Sequence, residues 1–340
     1  MLPDRGPLAA DLAAAGVEVH NRSLSVIRRQ QLNPVGVAAT VARAARDAAG
    51  LSQLIRRRHI ELVHSNTSAV LGGAAAAAAA RVRHVWHIRE IYARFGRLWP
   101  AHRRLLSSAA ALPCVSEAAA AQFGPRASTT VINDGLAFDA HRAPRDLARR
   151  ALGLAADAPV IAVLGRITDW KGQGILVRAL AERPLAERGA VALIAGEPWP
   201  GAEHRLTAVL ELATRLGVSE RVRLAGFCDD VALVYGAADV IAVPSTAPDP
   251  LPGAAIEAAA AGCAVIASAD GGLPEIIRDG ETGRLVTPGD PGALAKAAAE
   301  LVDDPVERRR LGEAAAHDVR SRFAPEALLK RIQTLYAGLL

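Results

Sequence analysis

The sequence predicts an α/β protein of two doubly wound, parallel-sheet domains, and three observations carry that expectation. Short apolar runs alternate with helical patterns along almost the whole chain, the mark of repeated strand-helix units. At 340 residues the chain is longer than one hydrophobic core usually spans. A polar, Arg- and Pro-containing stretch, Asn133 to Pro159, interrupts the alternation as a linker would.

In the first half, apolar runs place strands at Val17 to Leu24, Ile60 to Ser65, His84 to Ile88, Leu112 to Val115 and Thr129 to Ile132. Helical periodicity falls between them, at Val37 to Arg57, Ala69 to Ala80, Pro100 to Ala110 and Glu117 to Phe123. After the linker the pattern restarts, with strands at Val160 to Gly165, Val191 to Ala195, Val222 to Ala225, Val240 to Pro244, Ala264 to Ala267 and Gly283 to Val286. Three helices close the chain: Pro291 to Val302, Pro305 to Ser321 and Pro325 to Leu339. The expected organisation is a domain over 1–140, a second over 141–323, and a final helix over 324–340 that returns to the first domain. Ligands of such sheets bind beyond the carboxyl ends of the strands, so the two domains are expected to face a cleft. Met1-Leu2-Pro3 reads as the tip of a strand. A doubly wound domain would have an earlier strand, helix and strand, which leads to the expectation that the first elements are missing.

Composition narrows the function classes. Residues 1–150 hold 21 Arg, no Lys and 10 acidic residues, a balance of +11, against −6 for the remainder, which suggests that the first half meets an anion. A solvated face accounts for the Arg43 to Arg58 stretch equally well. Nucleic acid is not expected, because the basic residues are not interleaved with stacking aromatics. The alanine tract Ala74 to Ala80 is too short for a spanning helix, and no leader pattern opens the chain, so a cytoplasmic protein is expected. Cys114, Cys228 and Cys263 lack metal-ligand spacing and read as buried free thiols.

Several stretches carry chemistry. "VLGRITDWKGQ" runs from a strand into a loop bearing Arg166 and Lys171, a planar fork and a point charge suited together to a diphosphate. "PDPLPGAAIEAAAAG" sets Asp249 before a turn and Glu257 in a helix, with Pro252 expected at the first helical position and the amides of Gly253, Ala254 and Ala255 left as donors. An anion there would gain hydrogen bonds and the helix dipole, and two carboxylates beside it would accept sugar hydroxyls. Capping of the turn by Asp249 is the plainer alternative. In "SADGGLPEII", Gly271 and Gly272 permit close backbone approach and Glu275 sits in a first helical turn.

Together, strand-GRxxxxKG, "DVIAVPS", the acid-x7-acid pair, the EAxAxGxxVIAS stretch, GGxPEII and "DGETGRLVTPGD" resemble, in order and spacing, the retaining glycosyltransferases of family 4 with the GT-B fold. "ELVHSNTSAVLGG", "HVWHIREI", "CVSEAAAAQF" and "VINDGL" are similar to that family's N-domain loops. The resemblance implies diphosphate binding by Arg166 and Lys171, ribose binding by Glu257 and sugar contact by Asp249. Here the acid is one methylene shorter than the family's glutamate, and Leu251-Pro252 replaces the usual Phe-Gly. It further implies a donor set of Gly165, Gly196, Gly226, Phe227, Pro252, Gly253, Ala254, Gly271, Gly272 and Glu275, an active-site histidine at His87, and acceptor-side residues Asn66, Arg89, Ser116, Asn133 and Gly135. The family's glycine-rich loop after the first strand has no counterpart in these residues.

The implied function is transfer of a sugar from a nucleotide-diphosphate sugar to an acceptor hydroxyl in cell-surface polysaccharide, glycolipid or related glycoconjugate synthesis. The acceptor is a sugar, a lipid-linked molecule or another small molecule, and the basic half extends this to an anionic membrane surface on the inner face of the membrane. No metal and no other cofactor are implied, and Asp229-Asp230 and Asp303-Asp304 read as helix caps. Two alternatives stand beside it: a non-catalytic nucleotide-sugar binder with a defective first domain, and a GT-B sugar-nucleotide epimerase. A nicotinamide dehydrogenase is disfavoured because no GxGxxG follows an expected strand.

Overall fold

The computed structural model describes residues 1–2, 6–22, 24–27, 34–92, 96, 99–124, 128–136 and 139–340. Pro3 of the expected strand tip, Ser23 of the expected strand 17–24, and Ala137 and Phe138 of the expected linker lie outside the described residues. The chain forms two compact units: Met1–Val115, Ala120–Val131 and Gln333–Leu340 make the first, Ser116–Ala119 and Ile132–Ile332 the second.

The first unit contains α1 (Pro7–Ala14), α2 (Pro34–Arg57), β1 (Leu62–Ser65), α3 (Gly72–Ala80), β2 (Arg83–Trp86), α4 (Trp99–Leu106), β3 (Leu112–Cys114), the end of α5 (Glu117–Ala121) and β4 (Thr129–Val131). β1 pairs in parallel with β2, and β3 with β4, while bridges at Val85–Ala111 and Ile88–Cys114 join the two pairs. Alanine suits α3 because it packs closely on α2: a Cβ on Gly72 would lie 3.0 Å from the Asp47 side chain. Among the described residues of the expected strand 17–24, no strand forms. Val17 to His20 carry no regular structure, and only a single bridge joins Asn21 to Leu2, since a strand needs a partner of comparable length.

The second unit contains α6 (Arg145–Ala151), β5 (Val160–Leu164), α7 (Gln173–Ala181), α8 (Arg183–Ala186), β6 (Val191–Ala195), α9 (His204–Arg215), β7 (Val222–Gly226), α10 (Val231–Ala237), β8 (Val240–Val243), α11 (Gly253–Ala260), β9 (Val265–Ser268), α12 (Leu273–Ile276), β10 (Arg284–Val286), α13 (Pro291–Asp303), α14 (Pro305–Arg322) and most of α15 (Pro325–Ala337). Its six strands are all parallel, in the order β10-β9-β8-β5-β6-β7. Two buried layers cover the faces, and strand residues alternate between them: Val160 and Ala162 join one, Ile161 and Val163 the other. The same alternation separates Ile241 and Val243 from Val240 and Ala242. Each fully buried Ile, Leu or Val contributes about 1.5–3 kcal/mol, so doubly covered strands read as unbroken apolar runs. Asp230, Asp290 and Asp304 accept backbone amides at the starts of α10, α13 and α14.

The expected linker is largely part of this unit. α6 lies inside it, and Arg149, 1% exposed, donates to the carbonyls of Ala155, Ala158 and Ala237 and to Asp239 at 2.9 Å. Asp239 also takes the Val160 amide and an ion pair from Arg145. The polar composition that suggested a solvated connection satisfies buried backbone instead. Among the described residues no helix is long and apolar enough to cross a membrane. Cys114 and Cys263 are buried as expected, whereas Cys228 is only half-buried.

Candidate functional site

The strand order of the second unit reverses between β5 and β8, the place where sheets of this kind bind ligands beyond the carboxyl ends of their strands. The loops that leave β5 and β8 are sewn together. The Thr246 amide donates to the Trp170 carbonyl at 2.8 Å, and Gly172, at φ +83°, passes so near Pro244 that a Cβ would lie 1.9 Å from its carbonyl oxygen. Lys171 from one loop and Asp249 from the other meet at 2.7 Å, with Asp249 4% exposed. A part-buried ammonium held by a buried carboxylate keeps further donors for an anion.

Arg166 is exposed, and its guanidinium carbon sits 3.5 Å from the ring centre of Trp199. Among the described residues no acceptor takes its side-chain N–H groups. The rim beside it is main chain. Gly165 and Gly196 have φ +130° and +132°, and a Cβ on Gly196 would lie 2.2 Å from the Gly165 carbonyl oxygen. The Gly196 amide donates to the Gly226 carbonyl at 2.7 Å, so three strand ends are held flush. Phe227 follows at 68% exposure, its amide 3.4 Å from Glu197 Oε1.

Pro252 is the cap that precedes α11, not its first helical residue, because its extended ψ of 112° lies outside the helix. Its carbonyl accepts the Ala255 amide at 3.0 Å, which removes one of the three expected donors. The amides of Gly253 and Ala254 meet no acceptor among the described residues. Glu257 lies over this first turn, its Oε1 3.3 Å from where a Gly253 Cβ would stand, and it accepts from the Tyr235 hydroxyl at 3.2 Å. Burial raises the Glu257 pKa, and the Tyr235 hydrogen bond opposes that shift. Glu257 opens on a cavity of about 220 Å³ that it shares with Asp139, His141 and Asp229 to Ala232. An acidic lining of that kind favours hydroxyl and amine donors over phosphate.

Three expected ligand contacts are engaged within the chain. The Gly272 amide donates to the Asp249 carbonyl at 2.7 Å, and the Gly271 amide to the Asp270 side chain at 2.7 Å. These glycines serve close packing: a Cβ on Gly271 would lie 2.4 Å from the Asp249 oxygen, and one on Gly272 2.0 Å from the Pro250 oxygen. Glu275 accepts the amides of Glu117 and Ala118, each at 2.8 Å, and so caps α5 from 158 residues away. Ser116 caps the same helix through the Ala119 amide, and Gly135 lets its backbone lie 3.0 Å from Pro325, measured to the position a Cβ would take. Asn133 is half-buried beside it.

In the first unit Asn66 is exposed at the end of β1, Arg89 half-buried after β2, and His87 3% exposed. The His87 ring lies 5.4 Å from that of His64, and its amide donates to the Ser65 carbonyl. His64 Nδ1 meets the Tyr336 hydroxyl at 2.7 Å. Burial first, then His87 and Arg89, lowers the His64 pKa to about 4, and burial with His64 lowers His84 to about 4. Sequence reasoning missed this pairing and missed the cluster in which Thr67, Ser68 and Tyr92 surround the Glu90 carboxylate. It also missed Gln173, Glu197 and Trp199, although "GEPWPG", a Gly/Pro loop leaving a strand with an aromatic in it, was a legible signal.

A family model for glycosyl transferases group 1 matches residues 144–318, half of the chain. The D-inositol 3-phosphate glycosyltransferase of Corynebacterium efficiens is 37% identical over 196 residues, 56% of this chain and 45% of that protein. That of Nocardia farcinica is 41% identical over 178 residues, 51% of this chain and 39% of that protein, so the matches span less than half of those relatives. Among solved structures, Anabaena Alr3699/HepE in complex with UDP and glucose superposes with a TM-score of 0.83 at 27% identity, covering 99% of this chain and 91% of that one. The fold is therefore GT-B-like, with Rossmann-like sheets.

Proposed function

Since the chain belongs to the glycosyl transferases group 1 family, we propose that it moves a sugar from a nucleotide-diphosphate sugar to an acceptor hydroxyl with retention of anomeric configuration, as a family 4 enzyme. The observation that supports this is a set of anion-binding groups on the loops that leave the switch-point strands: Lys171 and Arg166 after β5, and the amides of Gly253 and Ala254 after β8. The likeness to HepE, solved with UDP and glucose, supports UDP-glucose as the first donor to test.

In this assignment the chain's own cations and amides neutralise the leaving diphosphate, the largest electrostatic demand of the reaction. Glu257, supported by Tyr235, accepts the ribose hydroxyls. Asp249, held by Lys171, accepts a sugar hydroxyl. A departing phosphate oxygen takes the acceptor proton, so no protein nucleophile and no metal or cofactor is assigned, and His87 acts on the acceptor side. Residues 1–140 receive the acceptor, 141–323 the donor, and the helix of 324–340 completes the arrangement. The relatives named for D-inositol 3-phosphate and the +11 balance of residues 1–150 favour a phosphorylated polyol or lipid-linked acceptor, met in the cytoplasm or at the inner membrane face.

The test is incubation with UDP-glucose alone and with inositol phosphate or lipid-extract acceptors, followed by proton NMR of the anomeric centre. Transfer with an unchanged anomeric coupling is the expected result. A new sugar nucleotide formed without acceptor would establish epimerisation instead, and binding without turnover on any acceptor would make the protein a non-catalytic binder.

A further inference from the structure

We propose that Trp199 is a positioning residue for Arg166: it covers one face of the guanidinium and leaves the in-plane N–H edges to receive a diphosphate. This rests on the donor-site assignment above and goes beyond it to a residue that the assignment does not use. The stack is close, 3.5 Å from guanidinium carbon to ring centre, although Trp199 itself is 57% exposed. Stacking engages only the face of the ion, whereas a carboxylate partner would occupy the edge that a phosphate needs. No such partner stands at Arg166 among the described residues.

The backbone around the pair is fixed from both sides. Pro198 and Pro200 flank Trp199, which restricts its own torsions and those of Glu197. The Trp199 carbonyl accepts the Ala202 amide at 2.8 Å, and the Glu197 carbonyl accepts the Ile167 amide at 3.1 Å. On the other side the Arg166 carbonyl accepts from Gln173 Nε2 at 3.1 Å, and Gln173 is 1% exposed. The left-handed turn at Gly196, pressed against Gly165, brings the two segments within reach. An exposed arginine ordinarily loses rotamer freedom when it binds; here the stack has removed much of that freedom beforehand.

Isothermal titration with UDP, and with ADP and GDP in parallel, tests this on the full chain. Trp199→Ala should weaken nucleoside-diphosphate binding about three- to tenfold, the equivalent of ordering one long side chain. Trp199→Phe should stay within about twofold, because a phenyl face still stacks. Arg166→Ala should weaken binding further, and adding Trp199→Ala to it should change nothing. Wild-type affinity in Trp199→Ala, with Arg166→Ala impaired, overturns the proposal. So does an undiminished second loss in the Arg166→Ala background, which would put the indole on the ligand itself. If Arg166→Ala and Lys171→Ala both bind like the wild type, or no nucleotide binds at all, the donor-site assignment fails and this proposal with it.

Discussion

Removing Lys171 should cost more stability than neutralising its partner. The Lys171 side chain is 23% exposed and that of Asp249 only 6%, with 2.7 Å between their charged atoms. Lys171→Ala strands a buried carboxylate, a change that costs about 3–5 kcal/mol when both partners are buried, and about 3 kcal/mol here because the ammonium side is open to water. Asp249→Asn keeps the shape and leaves a lysine that can turn toward solvent, so about 1 kcal/mol is expected. For a unit of roughly two hundred residues, 3 kcal/mol is about 6–12 °C in midpoint, well resolved by calorimetry. The double variant Lys171→Ala/Asp249→Asn should lie near the single Asp249→Asn, since the stranded charge is gone, yet it should still lack nucleoside-diphosphate affinity. Additive losses, or an Asp249→Asn less stable than Lys171→Ala, would refute the view that a buried carboxylate depends on this cation.

Glu275→Gln should lose about 1–2 kcal/mol in urea unfolding, because charge-assisted bonds to two backbone amides weaken, while UDP binding stays unchanged. Gly196→Ala should fail to give soluble, folded protein or lose more than about 3 kcal/mol by circular dichroism, since its Cβ has nowhere to go at φ +132° beside the Gly165 carbonyl. Acidification should destabilise the first unit between the ordinary histidine pKa of 6.5 and about 4: buried neutral His64 and His84 bind fewer protons than in the unfolded chain, so stability present above 6.5 drains as pH falls. Thermal unfolding across that window should show the slope, and His64→Gln with His84→Gln should flatten it.

The second unit was legible because its central strands are covered on both faces. Val160 to Leu164 and Val191 to Ala195 are apolar throughout, and their length and β-branched content favour a buried strand. Strand 17–24 misled because its apolar alternation says nothing about whether a partner exists. Arg149 misled in the opposite direction: five guanidinium donors read as solvent chemistry until the chain folds carbonyls around them. Gly272, Glu275 and Ser116, expected at the ligand, are engaged within the chain for one reason. A backbone amide or a carboxylate near a helix start serves the fold as readily as a ligand, and only the contacts tell the two apart. Lys171 and Asp249 lie 78 positions apart in sequence, and only the reversal of strand order brings them together.

The glycine seam across β5, β6 and β7 has an evolutionary reading. Gly196 bonds through its amide to the Gly226 carbonyl and packs against Gly165, whose amide bonds to Ala195, and each glycine is followed at once by an exposed side chain: Arg166, Glu197 and Phe227. The seam resists substitution, because any side chain there collides or strains. The residues just beyond it face no such constraint. A cation, an anion and an aromatic are thus presented on a rim whose position does not depend on them, so the rim can be re-lettered without being rebuilt. Divergence of ligand choice in chains with this seam should concentrate at the positions of Glu197 and Phe227, since Arg166 answers to the diphosphate that all such donors share.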